Sequence, residues 1–121
     1  MQPGSRISSI SAVTLMVSDM ARSHAFYTSL GFEVRYGGPQ EPFTSLLAGS
    51  QYLNLMQADE PSRHEGWGRV ILYVDDVDAA HRQAVGAGHS PEAEPRDAEW
   101  GERYFHLDDP DGHQLSFARP L

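Results

Sequence analysis

Apolar residues alternate with small or polar residues near the start of the chain, and this pattern predicts a strand with one buried face. The buried face carries Val13, Leu15 and Val17. Asp19 follows directly and is placed to cap a helix that spans 21–30. Gly31 ends this helix because glycine readily adopts the left-handed conformation found after a helix terminus.

A second strand and helix follow the same pattern further along the chain. The apolar face of the second strand carries Val70, Leu72 and Val74. Asp75 or Asp76 is placed to cap a helix over 77–87, and Gly86 and Gly88 mark its end. Short strands separated by turn signals follow each helix. The segment DPDG near the C-terminus is typical of a hairpin turn, which is a structural role.

The two halves are related by an internal repeat. A shift of 57 residues aligns VTLMVSDMARSHAFYTSLGFEV with VILYVDDVDAAHRQAVGAGHSP without a gap. A further similarity relates LNLMQA to LSFARP. The sequence therefore predicts a tail over 1–7 and one domain over 8–121. That domain contains two units, 8–60 and 64–121, joined by the polar segment DEPSRHEGWG.

The period of two residues divides every predicted strand into a core face and an opposite face. The core face consists of Val13, Leu15, Val17, Leu53, Leu55, Val70, Leu72, Val74, Phe105, Leu107, Leu115 and Phe117. The opposite face mixes small, aromatic, thioether and isolated polar side chains, as the wall of a ligand cavity does. A dimer contact or a partly hydrated sheet surface is the alternative interpretation.

Composition narrows the classes of function. The chain has 121 residues, and its 9 basic and 17 acidic residues give a net charge of −8 with neutral histidines. This balance argues against nucleic acid and anionic membrane surfaces as partners. There is no cysteine and no lysine, which excludes thiol and Schiff-base chemistry. No targeting or membrane-spanning segment is recognisable, and we expect a cytoplasmic protein.

Several motifs together resemble the glyoxalase, bleomycin-resistance and extradiol-dioxygenase superfamily, also called vicinal oxygen chelate proteins. The resemblance rests on VTLMVSD, FYTSLGFEV, VILYVDD and EWGERYFHLDDPDGHQLSF and covers nearly the whole chain. It implies an α+β fold in which two βαβββ units form curved mixed sheets around a cavity. It also implies that a second subunit often completes this cavity, so we expect a homodimer.

Catalytic members of that superfamily hold a divalent metal through four strand residues. The resemblance assigns these positions here to Ala12, Asn54, Arg69 and Ser116. Alanine has no donor atom, arginine is a permanent cation, and neutral amide and hydroxyl groups are weak ligands. We therefore expect no metal and no other cofactor.

The six histidines are an alternative source of chemistry. His24 and His81 occupy equivalent helix positions, and three more fall in predicted loops or turns, namely His64, His89 and His113. His106 alone lies on the opposite face, beside Tyr104. An enzyme without the usual metal would use His106, Tyr104 or Glu99 as acid or base. The commoner role of such a histidine is as a hydrogen-bonding wall residue.

Two tryptophans in polar connectors extend the predicted ligand site. Trp67 and Trp100 either cover the edge of the core or form a wall on which a ligand stacks. An acidic run beside Trp100 favours a ligand that is cationic and planar. The Arg69 guanidinium requires a negatively charged partner, which is either a carboxylate of this run or an anionic group of the ligand. The acidic run comprises Glu92, Glu94, Asp97 and Glu99. The predicted ligand-binding residues are Met16, Tyr52, Asn54, Met56, Trp67, Arg69, Tyr73, Trp100, Tyr104, His106 and Ser116.

These observations lead to three hypotheses. The leading one is a metal-independent binding protein of the bleomycin-resistance type for a small aromatic or peptidic molecule, with a role in antibiotic resistance. The second is an enzyme of the superfamily that acts without the usual metal ligands. The third is a dimeric interaction module without a small ligand.

Overall fold

Each half of the chain folds as strand, helix and then three strands in the computed structural model, which describes residues 4–60 and 62–121. Residues 1–3 of the predicted tail and residue 61 of the predicted connector lie outside the described residues. The first unit contains β1 (Ala12–Val17), α1 (Met20–Ser29), β2 (Val34–Tyr36), β3 (Phe43–Ala48) and β4 (Gln51–Gln57). The second unit contains β5 (Arg69–Tyr73), α2 (Val77–Gly86), β6 (Arg96–Asp97), β7 (Glu102–Asp108) and β8 (Gln114–Pro120).

Each unit forms its own four-stranded mixed sheet. The strand order is β1-β4-β3-β2 in the first sheet and β5-β8-β7-β6 in the second. In both sheets the strand before the helix pairs in parallel with the last strand of its unit, and the other pairings are antiparallel. The predicted α+β fold with two βαβββ units is confirmed.

Both helices begin at the aspartate caps that the sequence supplies. The Asp19 carboxylate accepts a hydrogen bond from the Arg22 backbone N–H at 3.2 Å. Of the two candidates for α2, Asp76 is the cap, and it accepts from the Ala79 N–H at 3.0 Å. Gly31 has a φ of +101° just after α1, which explains why this helix ends there.

The core lies between the helices and one face of each sheet. Eight of the predicted core residues are buried: Leu15, Val17, Leu53, Leu55, Phe105, Leu107, Leu115 and Phe117. The other four, Val13, Val70, Leu72 and Val74, are partly buried and pack against this core. They lie on or just after β1 and β5, which pair with a neighbouring strand on one side only, so they have fewer neighbours.

The DPDG turn joins β7 to β8 and also connects the two units. The buried Asp111 carboxylate accepts hydrogen bonds from the backbone N–H and the hydroxyl of Ser18, which lies between β1 and α1. The Asp109 carboxylate accepts a 2.7 Å hydrogen bond from the Tyr27 hydroxyl of α1. The turn therefore binds the first unit through two buried carboxylates, in addition to its predicted role as a hairpin.

No helix among the described residues is long and apolar enough to cross a membrane.

Candidate functional site

The face of each sheet that points away from the helices is called its open face. On the first open face the strand register aligns side chains in three rows. The rows are Ala12–Tyr52–Leu47, Thr14–Asn54–Ser45 and Met16–Met56–Phe43. Asn54 is therefore the central residue of the middle row, with large apolar side chains in the rows on either side.

The middle row of the first open face carries unused hydrogen-bonding capacity. Asn54 Nδ2 donates to Thr14 Oγ1 at 3.4 Å, but its Oδ1 is buried and has no hydrogen-bond partner among the described residues. Ser45 is 1% exposed, and its hydroxyl likewise has no partner within residues 4–60 and 62–121. Buried polar atoms are usually hydrogen-bonded in folded proteins, which makes these two atoms candidate contacts for a bound molecule.

The second open face has the equivalent rows. They are Arg69–Gln114–Asp108, Ile71–Ser116–His106 and Tyr73–Ala118–Tyr104. His106 in the middle row corresponds to Ser45, and its Nδ1 is also buried without a partner in the described part of the chain. Burial is the larger cause that lowers the pKa of His106, and the positive charge of Arg69 lowers it further. The imidazole is therefore neutral at neutral pH and keeps a ring nitrogen free to donate, accept or take up a proton.

A carboxylate that the sequence analysis missed organises one end of the second open face. Glu102 accepts a 2.8 Å hydrogen bond from Trp100 Nε1 with one oxygen and a hydrogen bond from the Tyr73 hydroxyl with the other. The Trp100 and Tyr73 side chains remain 68% and 64% exposed. Alternation along β7 places Glu102 on the same face as Tyr104 and His106. This alternation is the sequence signal from which Glu102 could have been identified.

Arg96 is the second residue that sequence reasoning missed on this face. Its guanidinium lies 4.5 Å from the ring centroid of Tyr104, donates to the Tyr104 hydroxyl at 2.9 Å and pairs with Glu92 at 3.3 Å. Its Nη1 is buried and forms no hydrogen bond with any described residue. Arg96 belongs to a two-residue strand, which is too short to produce a recognisable alternation.

Arg69 is exposed, and none of the described carboxylates forms an ion pair with it. Of the predicted acidic run, Glu92 pairs with Arg96, Asp97 pairs with Arg103, and Glu94 lies 3.8 Å from His81. Glu99 is exposed and forms neither a hydrogen bond nor an ion pair with the described residues. The carboxylate beside Trp100 is therefore Glu102 instead of Glu99.

A cavity of about 900 Å³ lies between the two units and is lined by strands β1 and β5. Trp67, Arg69, Tyr52 and Tyr73 contribute to its wall. A second cavity of about 430 Å³ is lined by His106, Gln114 and Asp108 and also by Arg69. Arg69 thus contacts both cavities. Trp67 lines the first cavity, whereas Trp100 lies on the second open face, 5.4 Å from Tyr104 between ring centroids.

The residues at the positions implied for a divalent metal do not fit such an ion. Ala12 supplies no donor atom and Arg69 would repel a cation, while Asn54 and Ser116 offer neutral oxygens. Over residues 4–60 and 62–121, no three His, Asp or Glu side chains are grouped so that they would hold a metal ion.

Comparison with known families gives a match over almost the whole chain. Residues 9–117 match the family described as Glyoxalase/Bleomycin resistance protein/Dioxygenase superfamily. The uncharacterized protein Rv0887c of Mycobacterium tuberculosis (strain ATCC 25618 / H37Rv) is 28% identical over 122 residues, which cover 88% of this chain and 72% of that protein.

Solved structures with the same fold extend this similarity. TioX from Micromonospora sp. ML1 is 25% identical with a TM-score of 0.74, covering 94% of this chain and 100% of that one. A structure described as lactoylglutathione lyase from Agrobacterium tumefaciens is 22% identical with a TM-score of 0.75, covering 94% and 95% of the two chains. The latter identity is low enough that the similarity concerns the fold alone.

Proposed function

Because this chain belongs to the Glyoxalase/Bleomycin resistance protein/Dioxygenase superfamily, we propose that it is a metal-independent binding protein of the bleomycin-resistance type. Its ligand is a small aromatic molecule that lies on the open faces. In the cell this activity would sequester an antibiotic-like compound, and it would act in the cytoplasm as a homodimer.

One observation carries this proposal. Four buried side-chain polar atoms lack hydrogen-bond partners among the described residues, and all four lie on the open faces. They belong to Ser45, Asn54, Arg96 and His106. A buried polar group without a partner costs about 1–3 kcal/mol, and a bound molecule that supplies the partner recovers this energy. The distribution of these atoms supports small-molecule recognition at this surface.

The second open face favours a cationic aromatic ligand. The Glu102 carboxylate accepts hydrogen bonds from two exposed aromatic side chains, Trp100 and Tyr73, and the whole chain carries a net charge of −8. A cation that stacks on these rings gains both the attraction of the carboxylate and cation–π contact. Arg69 lies four residues along β5 from Tyr73, about 13 Å away, where it would bind an anionic group of the same molecule.

Phenyltrimethylammonium is the probe for this proposal, titrated against isotope-labelled protein by NMR. We expect shifts of the Trp100 indole N–H signal and an affinity that falls roughly tenfold in Trp100→Ala. Glu102→Gln should weaken binding more at low salt than at high salt, because screening reduces the lost attraction. Glu41→Gln removes the same charge at an exposed loop position and serves as the matched control.

Benzoate is the second probe and tests the opposite electrostatic interpretation. If the ligand is anionic, benzoate binds better than the cation and Arg69→Ala is the damaging change. If neither probe, nor a wider panel of aromatic metabolites, shifts any signal on the open faces, the binding proposal is wrong. The interaction module without a small ligand then takes its place.

An acid–base enzyme is the second candidate function, and His106 is the observation in its favour. This side chain is neutral and retains an unpartnered Nδ1 beside Tyr104, whose ring centroid lies 5.0 Å away. A neutral imidazole on the wall of a ligand site is able to accept a proton from a bound molecule. Turnover of a bound compound that disappears in His106→Gln would favour this candidate over simple binding.

A further inference from the structure

The middle row of the first open face has a hydrogen-bonding pattern that selects one kind of chemical group. Ser45 and Asn54 are direct neighbours across β3 and β4, and each has a buried atom without a hydrogen-bond partner among the residues that the structure describes. One of these atoms, the Asn54 amide oxygen, only accepts hydrogen bonds. The other, the Ser45 hydroxyl, can donate one. The pair therefore presents one acceptor and one donor side by side.

We propose that this row recognises an uncharged carboxamide of the ligand, with Asn54 Oδ1 accepting from its N–H and Ser45 Oγ donating to its carbonyl oxygen. The proposal rests on the binding function proposed above and adds the chemical class of a second ligand group. Peptide bonds, lactams and primary amides all present this donor and acceptor together.

The surroundings of the row favour an uncharged group. All nine residues of the three rows are uncharged. A carboxylate would leave Asn54 Oδ1 facing another acceptor, and an ammonium or amidinium would leave the Ser45 donor without an acceptor. Arg35 stacks over the Tyr52 ring at 4.3 Å in the adjacent row, so a carboxylate is the competing ligand group that an experiment must test.

The neighbouring thioethers provide a route to these buried atoms. Met16 and Met56 form the next row with Phe43, and their side chains are 36% and 41% exposed. Methionine side chains are unbranched and flexible, so they can repack around an apolar group that enters beside them. A ligand with an aromatic ring next to its carboxamide would contact these side chains while its polar end reaches the middle row.

The two units differ at equivalent positions of their middle rows. In the second unit the corresponding row is Ile71–Ser116–His106, in which an imidazole replaces the serine and an aliphatic side chain replaces Thr14. The charged residues Arg69, Glu102 and Arg96 also lie on the second open face. The first open face is thus suited to the amide-bearing part of a ligand, and the second is suited to its charged part.

Three compounds of nearly identical shape test this proposal: benzamide, benzoate and benzamidinium. NMR titration of the labelled full chain measures where each compound binds and how tightly. We expect benzamide to bind more tightly than its two isosteres and to shift the Asn54 side-chain amide signals. Ser45→Ala and Asn54→Ala should each weaken benzamide binding roughly three- to tenfold, as expected for one lost hydrogen bond. Ser50→Ala, in the exposed turn between β3 and β4, should leave binding unchanged.

Two further readouts separate recognition from a purely structural role. Ser45→Ala removes a hydroxyl that has no partner, so the free protein should retain or gain thermal stability while it loses benzamide affinity. Asn54→Asp replaces the amide with a carboxylate that accepts hydrogen bonds and carries a charge, so the preference should change from benzamide to benzamidinium.

The outcomes distinguish this inference from the proposal on which it rests. Benzamide binding that is unchanged in Ser45→Ala and Asn54→Ala, or tighter binding of benzoate with shifts at Arg35, overturns the carboxamide assignment. Phenyltrimethylammonium would still bind at Trp100 in that case, and the binding function would stand. If none of the compounds binds to either open face, both proposals fail.

Discussion

Trp67 Nε1 donates a 2.9 Å hydrogen bond to Nδ1 of His113, and this contact selects the tautomer of the imidazole. The indole N–H can only donate, so Nδ1 accepts and Nε2 carries the proton. Nε2 then donates to the Met16 backbone carbonyl at 2.7 Å. Through one buried imidazole the connector, the DPDG turn and strand β1 are held together.

Replacement of Trp67 should therefore destabilise the contact between the two units. Trp67→Phe keeps an aromatic ring beside His113 but leaves the imidazole Nδ1 without its donor, which should lower the free energy of unfolding by about 1 kcal/mol. Urea denaturation measures this change. Trp100→Phe is the matched control, because its indole bonds to a carboxylate at the surface and its loss should cost less. Equal losses in the two variants would contradict the structural role of Trp67.

The buried Tyr27 hydroxyl should contribute more to stability than an exposed one. Tyr27 is 0% exposed and donates to Asp109 at 2.7 Å. Tyr27→Phe leaves this carboxylate oxygen without a partner in the interior, and we expect a loss of about 1–3 kcal/mol in unfolding free energy. Tyr36→Phe is the control, since Tyr36 is 65% exposed and its hydroxyl forms no hydrogen bond with described residues. A loss below about 0.5 kcal/mol in Tyr27→Phe would contradict this role.

The Asp109 carboxyl should make stability depend on pH. Burial raises its pKa above the ordinary value of 3.8, although hydrogen bonds from Tyr27 and the His113 backbone oppose this shift. The folded state therefore binds the proton more tightly than the unfolded state. Its contribution to stability is fully present below pH 3.8 and is lost as pH rises through the raised pKa.

Asp109→Asn tests this dependence with little change in shape. The asparagine oxygen can still accept from the backbone N–H groups of Asp111 and His113, and its amide can donate to Tyr27. We expect the stability of the wild type relative to the variant to fall as the pH rises from below 3.8 through the raised pKa. Thermal denaturation across this pH range measures the difference, and a constant difference would contradict the raised pKa.

The sequence was sufficient to predict the fold, because alternation, aspartate caps and the repeat are local signals. It identified Asp19, Asp76 as one of two candidates, and most of the core. Glu102 was overlooked in favour of Glu99, although alternation along β7 places Glu102 on the same face as Tyr104 and His106. Local patterns support all of these assignments, since each residue's role depends on neighbours within a few positions.

Contacts between the two units were beyond the reach of such patterns. His113 was assigned to a loop or turn and does lie between β7 and β8, but nothing local indicates that both ring nitrogens are bonded to distant segments. The same holds for Ser45. Its proposed role in binding depends on its register beside Asn54 and on a hydroxyl without a hydrogen-bond partner among the described residues. Pairing between strands and side-chain orientation determine these features, and a single sequence does not specify them.

We predict that the purified protein retains no divalent metal in stoichiometric amount. The reason is the donor set at the family positions, because Ala12 has no donor atom and Arg69 would repel a cation. Elemental analysis after dialysis measures the metal content. Zinc, nickel, manganese or iron at one ion per chain would contradict this prediction, and it would favour the enzyme hypothesis with a metal bound at other residues.

We predict a homodimer in which the open faces contribute to the contact. Large apolar side chains remain exposed there, among them Ile71 at 61% and Met56 at 41%, and closed twofold dimers are the commonest way to cover such surfaces. Analytical ultracentrifugation at micromolar concentration should give twice the chain mass of 13.4 kDa. A single-chain mass under these conditions would contradict the prediction.

A matched pair of charge substitutions then tests which surface forms the dimer. Ile71→Arg places a second cation beside Arg69 on the second open face, so burial of this surface in an interface would become costly. We therefore expect the dimer dissociation constant to rise at least tenfold, which is equivalent to about 1.4 kcal/mol. Val85→Arg introduces the same charge on α2, where the side chain is 51% exposed and lies away from the open faces. Because both variants change the net charge equally, a general electrostatic effect would weaken both dimers alike. Selective dissociation of Ile71→Arg would assign the contact to the open face, whereas a stronger effect of Val85→Arg would move it to the helical side.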